Sequence, residues 1–105
     1  MSVKEINTVS EFQKSIDEGV SLVDFYAVWC GPCKMLSPII ESLSGTIKDV
    51  KFLKVDVDKN EELIYQYQIQ AMPTICIFKD GKLVDKNVGF LPEVALKKFI
   101  EKNKN

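Results

Sequence analysis

Val23-Asp24-Phe25-Tyr26-Ala27-Val28-Trp29-Cys30-Gly31-Pro32-Cys33 reads as a buried strand, a short exposed turn and the first turn of a helix. Its two cysteines stand three apart, one at the turn and one just inside the helix, a spacing that permits a disulfide. The free N–H groups and macrodipole of a helix N-terminus favour a thiolate over a thiol. Pro32 suits the first helical turn, where its missing N–H loses nothing. Gly31 keeps the approach to the first sulfur open. Upstream, Val20 to Ala27 is almost wholly apolar, as a strand buried on both faces should be. Asp24 is the exception. On a strand it shares a face with Leu22 and Tyr26. A carboxylate buried there has a raised pKa. Taken alone, it reads more plainly as a strand-edge aspartate facing water or paired with a lysine.

The 105 residues suffice for one compact domain, 1–105, and not for two. Net charge is −1, so no strong field draws the chain to nucleic acid or membrane. Every basic residue is lysine; the usual bidentate reader of phosphate and guanine, arginine, is missing. Histidine is also absent, which excludes Cys/His dyads, histidine metal ligands and a histidine base. Proton transfer must therefore use Asp, Glu, Lys, Tyr, Cys or water. No stretch approaches a membrane span and Met1-Ser2-Val3-Lys4-Glu5 carries no leader signature, so the expected location is cytoplasmic. There a reactive dithiol is the better reading of Cys30 and Cys33. Cys76, between Ile75 and Ile77, reads as a small buried hydrophobe without a catalytic role.

In chain order, Val3 to Ile6 forms a short strand. Thr8-Val9-Ser10-Glu11 has the form of a capping box, with Phe12 and Ile16 as the buried stripe of a helix that Gly19 ends. Pro32 to Ser44 is the second helix, with Met35, Leu36, Ile39, Ile40 and Leu43 as its apolar face and Gly45 as its stop. Pro38 in its interior removes the hydrogen bond to the Lys34 carbonyl. Val50 to Val57 is a strand with Leu53, Val55 and Val57 on one face and Phe52, Lys54 and Asp56 on the other. Lys54 reads by itself as a side chain snorkelling to the edge. Asp58-Lys59-Asn60-Glu61 resembles a helix start, and Leu63, Ile64 and Tyr67 supply that helix's inward face. Tyr65 and Tyr67 read as surface and core, not as a base-stacking platform. Thr74 to Lys79 and Lys82 to Val88 pair through a type I′ turn at Asp80-Gly81. Gly89 ends the pair, Pro92 opens a last helix with Leu96, Phe99 and Ile100 buried, and Glu101 to Asn105 should fray.

Trp29-Cys30-Gly31-Pro32-Cys33, preceded by Val23-Asp24-Phe25 and followed by Lys34-Met35, resembles the active site of the thioredoxins, and the likeness runs over nearly the whole chain. A bare C-x-x-C also occurs as half a zinc site; the full motif after a V-D-F strand is far more specific. The resemblance implies an α/β thioredoxin fold, a mixed central sheet in the order β-α-β-α-β-α-β-β-α with helices on both faces. It implies a protein-disulfide reductase acting through a redox-active Cys30–Cys33 disulfide. Cys30, the more exposed sulfur, is the nucleophile and Cys33 the resolving cysteine. Asp24 transfers the Cys33 proton, through water, and Lys54 partners and tunes Asp24. Gly31 and Pro32 contribute to a reducing potential, which the lack of histidine also favours.

By the same resemblance, Pro73 is a cis-proline that packs on the dithiol, shields it from metal and presents the Met72 backbone to a client as a strand edge. Sequence alone favours trans, since only about 5–6% of X–Pro bonds in folded proteins are cis. Trp29, Ala71, Met72, Pro73, Gly89 and Phe90 form the implied docking surface; Phe90 stands where many relatives carry something smaller. Tyr26 replaces a tryptophan common in bacterial relatives, which should alter packing and not the reaction. Implied partners are a thioredoxin reductase, NADPH- or ferredoxin-linked, and clients such as ribonucleotide reductase, peroxiredoxin and methionine sulfoxide reductase. No cofactor is expected to be bound by the chain, which should be a monomer.

Three other readings compete. A structural zinc site needs four ligands, and only Cys76 remains as a further soft one. A binding module would function without its cysteines. An oxidase or isomerase would differ in reduction potential.

Overall fold

The computed structural model describes residues 3–104. Five strands, β1 (Val3–Ile6), β2 (Val20–Tyr26), β3 (Val50–Asp56), β4 (Thr74–Lys79) and β5 (Lys82–Val88), form one sheet in the order β1-β3-β2-β4-β5. Four helices intervene: α1 (Val9–Ile16), α2 (Gly31–Thr46), α3 (Glu61–Gln66) and α4 (Glu93–Glu101). This is the thioredoxin fold, with the element order expected from the sequence. β1 and β2 both run parallel to β3, as helical crossovers require, while β4 is antiparallel to β2 and to β5.

β2 lies at the centre, bonded to β3 and β4, and all but its last residue are buried. Its odd and even positions feed different cores. Val23 and Phe25 join Phe12 and Ile16 of α1, Leu63 of α3, Val55 and Phe78. Val20 and Leu22 join Leu36, Ile40 and Leu43 of α2, Leu96 and Ile100 of α4, and Phe52. The first core is aromatic: Phe12 meets Phe78 edge-to-face with centroids 5.5 Å apart, and Tyr67 meets Phe78 at 5.2 Å. Tyr67 is thus partly buried core and Tyr65 is exposed, as their contexts implied.

Local chemistry sets most of the boundaries. Thr8 caps α1 by accepting from the Glu11 N–H at 3.0 Å, while Glu11 accepts from the Asn7 N–H at 2.9 Å, one residue earlier than a strict capping box. Asp80 (φ +49) and Gly81 (φ +87) are both left-handed, which the tight turn between β4 and β5 requires.

Four expectations fail. α2 continues through Gly45 to Thr46, with Ile47 as its cap, because buried Leu43, Ser44 and Ile47 keep the last turn packed. Met35 is 62% exposed; the buried stripe runs Cys33, Leu36, Ile40, Leu43, and Met35 stands about 100° from Leu36 around the axis. Asp58 starts no α-helix: Val57–Lys59 is a 3-10 turn capped by Asp56, and α3 begins at Glu61. The segment after α4 is held through residue 104, because Lys104 pairs with Asp49 at 3.0 Å and Asn103 donates to Asp85 at 2.9 Å. The expected fraying at Asn105 and the reading of Met1-Ser2 lie outside the described residues.

Phe12 joins α1 to β2, β4 and Tyr67, so Phe12→Ala should destabilise the protein by about 3–5 kcal/mol, read as a fall in the urea midpoint at unchanged slope.

Candidate active site

β2 delivers the chain to a turn, and Cys30 follows as the N-cap of α2, with extended backbone (φ −94, ψ 116). Its Sγ accepts from the Cys33 N–H at 3.2 Å, the bond a capping oxygen ordinarily makes. Cys33 is the third residue of the helix, and the two sulfurs are joined in a disulfide with Cα atoms 5.3 Å apart. Reduction would leave Cys30 Sγ beside the Cys33 N–H, at the positive end of a sixteen-residue helix. Both cysteines are buried, 6% and 4% exposed, so exposure hardly separates them. Their neighbours do. Cys30 Sγ lies 3.6 Å from the Met72 carbonyl oxygen, whereas Cys33 lines a cavity of about 250 Å³ that is open to solvent at Val28 and Lys34. Added at Gly31, a Cβ would meet no atom within 4 Å, so the open approach there does not depend on glycine.

Met72–Pro73 is cis. The loop is tied down on both sides: the Gly89 N–H donates to the Pro73 carbonyl at 2.8 Å and the Thr74 hydroxyl to the Ala71 carbonyl at 2.6 Å. Gly89 has φ +105, a left-handed conformation that favours glycine. Trp29 is 65% exposed, Ala71 and Phe90 are exposed, Met72 is partly buried and Pro73 is buried. Trp29 is anchored by its indole N–H, which donates to Asp58 at 2.8 Å. Asp58 was missed in the sequence because Glu61 three residues on made it look like a cap.

The cavity beside Cys33 is lined also by Asp24, Lys54, Tyr26, Lys34 and Ser37. Larger hollows, about 650 and 920 Å³, lie between α1 and β3 and along α3, away from the cysteines; size does not locate the site. Asp24 is 4% exposed and its Oδ1 has no hydrogen-bond partner among the described residues. Burial raises its pKa to about 7, partly opposed by the Lys54 charge and reinforced by Glu5. Lys54 is the register neighbour of Asp24, yet its ion pair is with Glu5 at 3.7 Å. Tyr26 also turns to Glu5, its hydroxyl donating at 2.8 and 3.0 Å to the two carboxylate oxygens. Burial, followed by this bond to an anion, pushes the Tyr26 pKa up. Cys76 is fully buried, its thiol pushed up to about 12 by burial, so it offers no competing thiolate. Among the described residues no group of three or more metal-ligating side chains converges.

A helix-capping cysteine bonded to a second cysteine, beside a cis-proline and sharing a cavity with a buried carboxyl, defines a thiol–disulfide oxidoreductase. The thioredoxin family model matches residues 3–102. Thioredoxin of Staphylococcus epidermidis is 45% identical over 97 residues, covering 91% of this chain and 93% of that protein; thioredoxin of Staphylococcus saprophyticus is 46% identical over the same shares. Among solved structures, a mutant thioredoxin from Halobacterium salinarum superposes with TM-score 0.92 at 38% identity, covering 99% of this chain and 92% of that one. The oxidised thioredoxin of Plasmodium falciparum gives 0.90 at 41% identity, covering 99% and 100%. The chain belongs to the thioredoxin family, and its disulfide reductase chemistry resides in the Cys30–Cys33 pair.

Asp24 binds its proton more tightly folded, near pH 7, than unfolded, near 3.8. The native state is therefore relatively favoured at low pH and loses stability as pH rises from about 4 through 7. Asp24→Asn should stabilise the oxidised protein at pH 9 by a few kcal/mol, on the order of 3–4 at most, and by little at pH 4. Urea denaturation at the two pH values measures the difference.

Proposed function

We propose that the reduced chain carries two electrons from a thioredoxin reductase to client disulfides in the cytoplasm, as a single-domain monomer with no bound cofactor. The Cys30 thiolate attacks one sulfur of the client disulfide. A Cys30–client disulfide forms and the other client sulfur leaves as a thiolate, which takes a proton from solvent. Cys33 then gives its proton to the Asp24 carboxylate, through water in the shared cavity, which has room for several molecules. The Cys33 thiolate attacks Cys30, closes the intramolecular disulfide and expels the second client thiolate. The client has gained the two electrons that the dithiol lost. The reductase restores the dithiol by the reverse exchange.

The observation that carries this reading is the asymmetry of the two sulfurs: Cys30 at the helix N-terminus and the Met72 carbonyl, Cys33 at the cavity with Asp24. A thiol attacks best when its pKa lies near ambient pH, which the helix terminus promotes. Asp24, with a pKa of about 7, can accept and return a proton at cytoplasmic pH. Lys54, by its charge, sets how readily Asp24 ionises. Gly31 and Pro32 shape the turn between the sulfurs. Trp29, Ala71, Met72, Pro73, Gly89 and Phe90 form the docking surface, in which the Met72 backbone pairs with an extended client segment. Ribonucleotide reductase, peroxiredoxin and methionine sulfoxide reductase are suitable clients because each presents a disulfide to be reduced.

Cys33→Ser should trap a covalent adduct with a disulfide substrate through Cys30, while Cys30→Ser should trap none and lose insulin reduction by roughly 10³-fold or more. An adduct on Cys33 in the Cys30→Ser variant would reverse the roles. Asp24→Asn should slow resolution of the adduct by about 10²-fold and remove its rise between pH 6 and 8. The pair should equilibrate near the potential typical of thioredoxins, about −270 mV; a value near −120 mV would make the protein an oxidant.

A further inference from the structure

Glu5, Lys54 and Asp24 stand side by side across three adjacent strands. Glu5 of β1 registers with Lys54 of β3, and Lys54 with Asp24 of β2. One ammonium is thus flanked by two carboxylates. It goes to Glu5, at 3.7 Å, and makes no ion pair with Asp24. The Tyr26 hydroxyl bonds the same Glu5 carboxylate, and the Lys54 ammonium lies 5.6 Å from the centre of the Tyr26 ring. The preference has a physical cause. The Glu5 side chain is 36% exposed and that of Lys54 33%, so both charges stay hydrated. An ion pair with buried Asp24 would draw the ammonium out of water.

We propose that Glu5 is a positioning residue for the proton-transfer step: it holds the Lys54 ammonium and the Tyr26 hydroxyl on its own carboxylate and so keeps Lys54 from neutralising Asp24. This rests on the reading of Asp24 as the proton acceptor for Cys33. Glu5 acts on Asp24 twice, by withholding a cation and by adding a nearby negative charge. Both effects keep the Asp24 carboxyl protonatable at neutral pH, as burial does. The other titratable groups around the row are Asp56 of β3, Tyr26, and Lys34 and Cys33 of α2; the neighbour on β4, Ile75, is apolar. Tyr26 is the second half of the device: its hydroxyl fixes the Glu5 carboxylate toward Lys54.

The test is a ¹³C-carboxyl NMR titration of Asp24 in the oxidised protein. Glu5→Gln should lower the Asp24 pKa by about one pH unit, and Tyr26→Phe, which retains the Glu5 charge, should lower it by less. In a Lys54→Gln background only direct repulsion remains, so adding Glu5→Gln should move the pKa less than about half as far. An Asp24 titration unmoved by Glu5→Gln, or moved equally in both backgrounds, would overturn the proposal. The titration involves no client and no resolving step. If Asp24→Asn left adduct resolution unchanged, the role of Asp24 would fail while the hold of Glu5 on its titration would still be measured.

Discussion

Burial of strand β2 is the constraint on which the site depends. The strand is bonded on both sides and covered on both faces, so its direction and its end are fixed by hydrophobic packing. Its end is where the first cysteine must sit. Because Phe25 and Val23 are locked into the aromatic core and Leu22 into the core beneath α2, the turn after Tyr26 has little freedom. Cys30 emerges from it at the N-cap of α2, and Cys33 follows from helical geometry alone. The same strand carries Asp24 to the cavity that Cys33 also lines, where the burial that stabilises the fold keeps a carboxyl out of water.

The two sulfurs meet different surroundings because different parts of the chain supply them. Cys30 meets the ends of other elements: the amides of α2 and the carbonyl of Met72 in the loop before β4. Cys33 lines the cavity that also holds Asp24 and Lys54. Electrostatics follow this division. The helix N-terminus favours an anion at Cys30, while Cys33 shares its cavity with a carboxyl whose charge burial disfavours.

Asp24 is costly to keep ionised in the folded protein. A buried carboxyl with an oxygen lacking any hydrogen-bond partner among the described residues costs free energy whenever it ionises. An ion pair with Lys54 would offset part of that cost and would also lower the Asp24 pKa from about 7. Lys54 is held instead by Glu5, whose own contacts are with Lys54 and Tyr26. Asp24, Lys54, Glu5 and Tyr26 thus lie together on three adjacent strands, and none of them touches a sulfur through a hydrogen bond.

Most of the architecture was legible along the chain because it is carried by local signals. The apolar run of β2, the Thr8 cap, the Asp80-Gly81 turn and the five-residue cysteine motif each act within a few residues. Met35 was misplaced because apolar character does not say on which side of a helix the core lies, and Asp58 because a capping pattern is identical to a loop carboxylate that bonds a distant indole. The cis form of Pro73 had no local signal, only a family likeness. Glu5 was invisible for a related reason. Register across a parallel sheet sets residues 5, 24 and 54 side by side, and no local pattern encodes that neighbourhood. The sequence by itself determined the elements, the reactive pair and the family. Only the tertiary structure decided which carboxylate Lys54 serves, because that choice depends on how much water each group retains once the sheet is assembled.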